Sequence, residues 1–140
     1  WKPVNGNIDH LDVFNVIRAD ARGPGFLAVV YDPRFFELPG KQLEDEGILT
    51  VQFDQTPQRM APACGLAFDL ITHAGLVHDG DPELGAHVKA AVRREQERGF
   101  TLSKGKSRRH IDAAVAMCMG VFVLQQFLSE PSSEPSVFFV

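Results

Sequence analysis

The feature that most constrains this chain is the stretch "GFLAVVYDPRFF", residues 25–36. Phe26 to Tyr31 are apolar without a break and include two adjacent valines. That predicts a strand covered on both faces, because a strand with one wet face alternates apolar and polar side chains. Asp32 closes the run and Pro33 follows at once. An aspartate accepts the unpaired amides of a helix's first turn, and a proline suits the first helical position, where its missing N–H costs nothing. A buried strand that passes through a carboxylate into a helix is the repeating step of an α/β domain. In open sheets of that class, ligands gather at the C-terminal ends of the strands, where Asp32 would sit.

The remaining elements follow from periodicity and punctuation. His10, Val13, Phe14, Ile17 and Ala21 recur at three and four residues and predict a helix over 9–22, stopped by Gly23-Pro24-Gly25. The helix entered at Pro33 is expected to run to Glu46, to be interrupted at Pro39-Gly40 and to end at Gly47. Residues 48–53 predict a second strand, with Leu49, Val51 and Phe53 alternating against Thr50, Gln52 and Asp54. A helix over 60–74 carries Met60, Cys64, Ala67 or Phe68, and Ile71 inward, and Gly75 ends it. Asp81-Pro82-Glu83 opens another, with Leu84, Val88, Ala91 and Val92 as its stripe and Gly99 closing it. Phe100 to Ser103 predict a short third strand. Residues 110–128 predict a helix apolar nearly all round, hence central or covered. The domain therefore spans 1–128, and "SEPSSEPS" belongs to a polar tail over 129–140 that is expected to be mobile.

A strand buried on both faces needs sheet neighbours on both edges, because its backbone groups must be paired. Three strands for five helices are too few, so the expectation is part of a larger sheet whose other strands precede Trp1. The first residue is not Met, which points to a piece of a longer chain. No apolar run reads as long enough to cross a bilayer, since residues 111–128 carry Asp112 and two glutamines. Cys64 and Cys118, the only cysteines, fall on apolar helical faces and read as reduced core thiols. Zinc spacings, a phosphate-binding glycine loop and a serine nucleophile elbow are all missing from the sequence.

Charge is distributed unevenly. Residues 89–109 hold eight cations (Lys89, Arg93, Arg94, Arg98, Lys104, Lys106, Arg108 and Arg109) against Glu95 and Glu97, a local +6 in a chain of net −4 that leaves −10 elsewhere. A basic segment on an acidic domain is either a solvated surface or a contact for a polyanion. Asp112 follows it directly, in the first turn of the last helix. Taken singly, Asp32 and Asp112 read as helix-terminal acids. Taken together they suggest two carboxylates at one sheet edge, where mutual repulsion calls for a divalent cation. Hard oxygen donors select magnesium or manganese, and a pair of such ions about 3.5–4 Å apart can support phosphodiester cleavage. Lys104, Lys106, Arg108 and Arg109 would hold the phosphate backbone beside them.

Four blocks occur in order: "VVYDPRFF", "GILTVQFDQTPQRMAPACGLAFDLI", "GLVHDGDPELGAHVKAAV" and "KGKSRRHIDAAVAMCMGV". From about Ile8 to about Leu128 the chain resembles the C-terminal nuclease domain of the large terminase subunit of tailed bacteriophages. The resemblance implies an RNase H-like mixed sheet flanked by helices, and a metal-dependent endonuclease that cuts concatemeric double-stranded DNA during genome packaging. It implies two magnesium or manganese ions, an upstream ATPase motor, contacts with the small subunit and the portal, and residence in the host bacterial cytoplasm with no membrane role. In the family one catalytic acid lies on the first strand, a second ends the strand matched by Phe26 to Tyr31, and a third begins the last helix. Asp32 and Asp112 match the second and third, and Lys104 and Lys106 the basic loop. The first strand and its acid have no counterpart here, so the piece would hold two of the three metal-binding carboxylates, and inactivity of this piece alone is one expectation. Asp9, Asp12, Asp54 and Asp79 are other acids without a spacing that favours any of them, and His78 and Asp79 read as turn residues. A DNA-clamping or portal-docking module without turnover is the alternative that the missing acid motivates, and a junction resolvase or recombination nuclease is a third.

Overall fold

A computed structural model describes residues 9–105 and 109–129. It is a mixed α/β structure with two compact units, Trp1–Asp54 and Gln55–Val140.

The first unit contains α1 (His10–Asp20), β1 (Val29–Tyr31), α2 (Pro33–Asp45) and β2 (Thr50–Gln52). Asp9 caps α1, its carboxylate accepting the Leu11 N–H at 2.9 Å. The two strands pair in parallel, with Val30 opposite Val51. Phe14, Tyr31, Leu43 and Phe53 form the buried core. The Phe36 ring lies 5.3 Å from Tyr31 and 6.2 Å from Phe14, so aromatic contacts join the strand to both helices. Arg18 of α1 grips Glu46 at the end of α2 through two 2.6 Å bonds. That hydrogen bond holds the Glu46 carboxyl below the usual carboxylate range and raises Arg18.

Helix α2 runs unbroken through Pro39, contrary to the interruption expected there. Proline deletes one helical hydrogen bond, but Gly40 compensates by letting the helix close on the Tyr31 ring. A Cβ at Gly40 would overlap that ring. We expect Gly40→Ala to destabilise this unit by about 1–3 kcal/mol through overpacking, measured by urea unfolding. The helix ends in a left-handed Gly47 with φ +84°, and the amides of Gly47 and Ile48 return to the carbonyls of Glu44 and Leu43.

The strands are shorter than the apolar runs suggest. Only 29–31 and 50–52 pair, Leu27 and Leu49 are exposed, and Val29 and Val30 are half-buried rather than covered on both faces.

The second unit contains α3 (Pro57–Thr72), α4 (Pro82–Ala90), β3 (Val92–Gln96), β4 (Gly99–Ser103) and α5 (Asp112–Ser129). Helix α3 buries Met60, Ala61, Ala63, Cys64 and Ala67, and α5 buries Ala114, Cys118, Met119 and Val123 against it. Small residues on both helices allow that close approach. Cys64 and Cys118 are free, buried thiols, and contact with Cys64 together with burial pushes Cys118 far above the usual thiol range.

Three expectations are corrected in this unit. The helix opened by Asp81 stops at Ala90 instead of reaching Gly99. Residues 92–96 form an antiparallel hairpin with 99–103, turning through Glu97 and Arg98 into Gly99 at φ +92°. Cross-strand pairing overrides the helix propensity of Arg, Glu and Gln there, and the described strands number four, in two separate pairs. Helix α3 reverses at Ala74, with φ +54°, one residue before the predicted Gly75. Gly75 instead returns its amide to Leu70 at 2.8 Å. Finally, α5 is long and apolar enough to cross a bilayer by length and composition, at mean hydropathy 1.4. Only its inner stripe is covered within the chain, while Leu124, Phe127 and Leu128 are exposed.

Candidate metal and nucleic-acid site

Asp32 belongs to the first unit and Asp112 to the second. Asp32 emerges at the end of β1, fixed behind by the buried Tyr31 and in front by the first turn of α2. Its backbone is extended, at φ −78° and ψ 121°, and its Oδ1 accepts the Arg34 N–H at 3.1 Å. The Arg34 Nε lies 3.6 Å from the same oxygen. The residue is thus a helix cap, as strand-Asp-Pro chemistry requires. The parallel register brings Asp54 to the same end of the strand pair, since the Phe53 amide bonds to the Tyr31 carbonyl at 2.8 Å.

Asp112 is the first residue of α5, and its side chain is 70% exposed. Ile111 before it is buried and anchors the chain where the basic loop turns into the helix. His110 Nδ1 lies 3.2 Å from Asp112 Oδ2, and Lys104 Nζ lies 4.0 Å from Oδ1. Lys104 is therefore beside the carboxylate, as expected of the basic loop. Arg109 is exposed at the loop's end, and Lys106 and Arg108 lie outside the described residues.

The hairpin supplies further cations that a helical reading of 92–98 would have scattered. Arg93 stacks over the Phe100 ring at 4.4 Å and chelates Glu95, so it is committed to the hairpin's own packing. Arg94 lies opposite Thr101, and both line a groove of about 270 Å³ with Gln96, Met60 and Val115. Val115 is one turn beyond Asp112 on α5, so a cation from the hairpin reaches the same end of that helix. A larger groove of about 880 Å³ lies at the hairpin's turn, between Arg98 and the Pro57, Ala61 and Pro62 side of α3.

Asp79 and Asp81 settle into local roles. Asp79 Oδ1 accepts the Asp81 N–H and His78 Nδ1 accepts the Gly80 N–H, so both are turn residues. Asp81 caps α4. Among the described residues no group of three or more His, Cys, Asp or Glu side chains is arranged to hold a metal ion. The carboxylate oxygens of Asp32 and Asp112 are the right donor type for magnesium or manganese.

One contact at this site has no counterpart in the sequence signals. The Ala113 amide, in the first turn of α5, donates to Nδ1 of His87 in α4 at 3.0 Å. The His87 and His110 rings lie 6.2 Å apart. No family model, curated protein or solved structure matches the chain.

Proposed function

We propose that the chain is the nuclease part of a phage large terminase subunit, of RNase H-like fold, that cleaves double-stranded DNA with magnesium or manganese. The single observation that carries this reading is the exposed Asp112 carboxylate at the head of α5 with Lys104 Nζ 4.0 Å away. An acid so exposed, flanked by a cationic loop, needs no charge on its own account for folding. Its oxygens are of the donor type that would hold magnesium or manganese. Asp112 would provide metal-binding oxygens, Asp32 would provide others from the end of β1, and Lys104, Lys106, Arg108 and Arg109 would hold the backbone. When bound, the metal supplies activation of water and charge stabilisation at the leaving oxygen. The motor, the small subunit and the portal are the partners that this reading brings, in the bacterial cytoplasm.

The experiment is plasmid cleavage by the chain, alone and extended upstream, with magnesium or manganese. Cleavage that Asp32→Asn and Asp112→Asn both abolish supports the assignment, and cleavage indifferent to both refutes it. The capping role of Asp32, whose Oδ1 accepts the Arg34 N–H, favours, as second reading, a DNA-clamping or portal-docking module without turnover. It predicts salt-sensitive binding and no metal-dependent cutting. Under either reading, Lys104→Ala should lower the slope of log affinity against log salt by about 1, read by fluorescence anisotropy at several salt concentrations.

A further inference from the structure

We propose that His87 is the positioning residue for Asp112, capping α5 from the neighbouring helix. This inference rests on the nuclease reading only for its effect on cleavage. The first amides of a helix have no partner within it and need an acceptor from outside. The residue preceding α5 is Ile111, whose side chain has no polar atom. A Ser, Asp or Asn there would ordinarily do the work. The chain instead brings His87 from the last turn of α4, and its Nδ1 accepts the Ala113 N–H at 3.0 Å.

That bond defines the ring's chemical state. An imidazole accepts at Nδ1 only when neutral and protonated at Nε2. Together with the packing of α5 on α3, the bond also fixes the rotation of the helix's first turn. Ala113 is held by His87, Ile111 is buried, and the Val115 amide returns to the Ile111 carbonyl at 3.0 Å. With residues 111, 113 and 115 so fixed, the direction in which Asp112 projects is fixed with them. The groups facing this point are His110 and Asp112 on the approach to α5 and Lys104 on the loop. The block "GLVHDGDPELGAHVKAAV" thereby gains a role beyond its turn and cap residues: its second histidine holds the last helix.

The test combines a measurement on the unaltered chain with two variants. Nitrogen-15 NMR of the chain should show His87 protonated at Nε2 and bare at Nδ1 at neutral pH, and a proton on Nδ1 would overturn the proposal. In His87→Ala the Ala113 amide should exchange with solvent about tenfold faster, the loss of one cap. Cleavage should fall through kcat, with KM for DNA unchanged, since the phosphate contacts remain. His87→Asn sets an amide oxygen where Nδ1 was, and should restore both. Unchanged Ala113 exchange in His87→Ala, or equal impairment in the two variants, would refute the role. If Ala113 protection falls in His87→Ala and returns in His87→Asn while the parent cuts no DNA with magnesium or manganese, either alone or extended upstream, the cap stands and the nuclease reading fails.

Discussion

Asp112→Asn should reduce metal-dependent DNA cleavage on the order of a hundredfold, about 2.7 kcal/mol of barrier, while leaving the fold intact. The side chain is 70% exposed, so the substitution creates no cavity and strands no buried partner. What the fold loses is an acid in the first turn of α5, an interaction of about 0.3–1 kcal/mol with the helix dipole. Lys104 and His110 lose a carboxylate neighbour, again at an exposed position where ion pairs contribute little. A small stability change with a large activity change separates a metal ligand from a helix-terminal acid. The opposite pattern, full cleavage with a slightly lower melting temperature, would leave Asp112 with only its place in the helix.

Asp32 needs a different substitution, because it visibly caps α2. Asp32→Ala removes the acceptor for the Arg34 amide and costs about 1 kcal/mol whatever else the residue does. Asp32→Asn keeps an oxygen for that amide and removes the charge. Cleavage lost in both variants assigns the charge a role. Cleavage lost only in Asp32→Ala assigns the cap. Comparing the two measurements divides the two readings that strand-Asp-Pro leaves open.

Much of the architecture was legible because local chemistry and tertiary context agree. Asp9, Asp32 and Asp81 start helices where an aspartate precedes a helical run, and Gly47 ends one through the left-handed turn only glycine adopts cheaply. The hairpin was not legible, because Arg93 to Gln96 favour helix locally and become a strand only by pairing with 99–103. Its second strand was legible at 100–103, and Gly99, read as a helix stop, is a hairpin residue with positive φ. The two candidate acids were read from positions at element ends, and Asp32 does cap α2 and Asp112 does open α5. His87 did not, because its partner lies 26 residues away and a histidine in a helical stripe carries no mark of what it caps. The burial of α5 was overread for a related reason. Apolarity all round says that a helix can be covered, and the contacts with α3 and α4 say which face is.

The largest stability effect should come from Phe53→Ala. Phe53 follows β2, has no exposed surface, and its amide bonds to the carbonyl of Tyr31. Leu43 in α2 is equally buried, and Tyr31 and Phe14 complete the same core. Truncating a fully buried phenylalanine costs about 3–5 kcal/mol, part lost transfer energy and part cavity. Whole domains hold only about 5–15 kcal/mol, and a unit the size of Trp1–Asp54 has few other core residues to spread the loss over. Hydrogen exchange should therefore show the amides of 29–31 and 50–52 losing protection, with a drop in urea midpoint. Leu38→Ala, at a residue 81% exposed on α2, should change stability by less than about 0.5 kcal/mol and serves as the control. A Phe53→Ala variant that unfolds with the parent would contradict the core as described. Under the nuclease reading the consequence reaches cleavage, because β1 ends on Asp32. A carboxylate carried by a strand that no longer pairs cannot be held for a cation, so cleavage should disappear with the protection of β1 although no acidic residue has been changed.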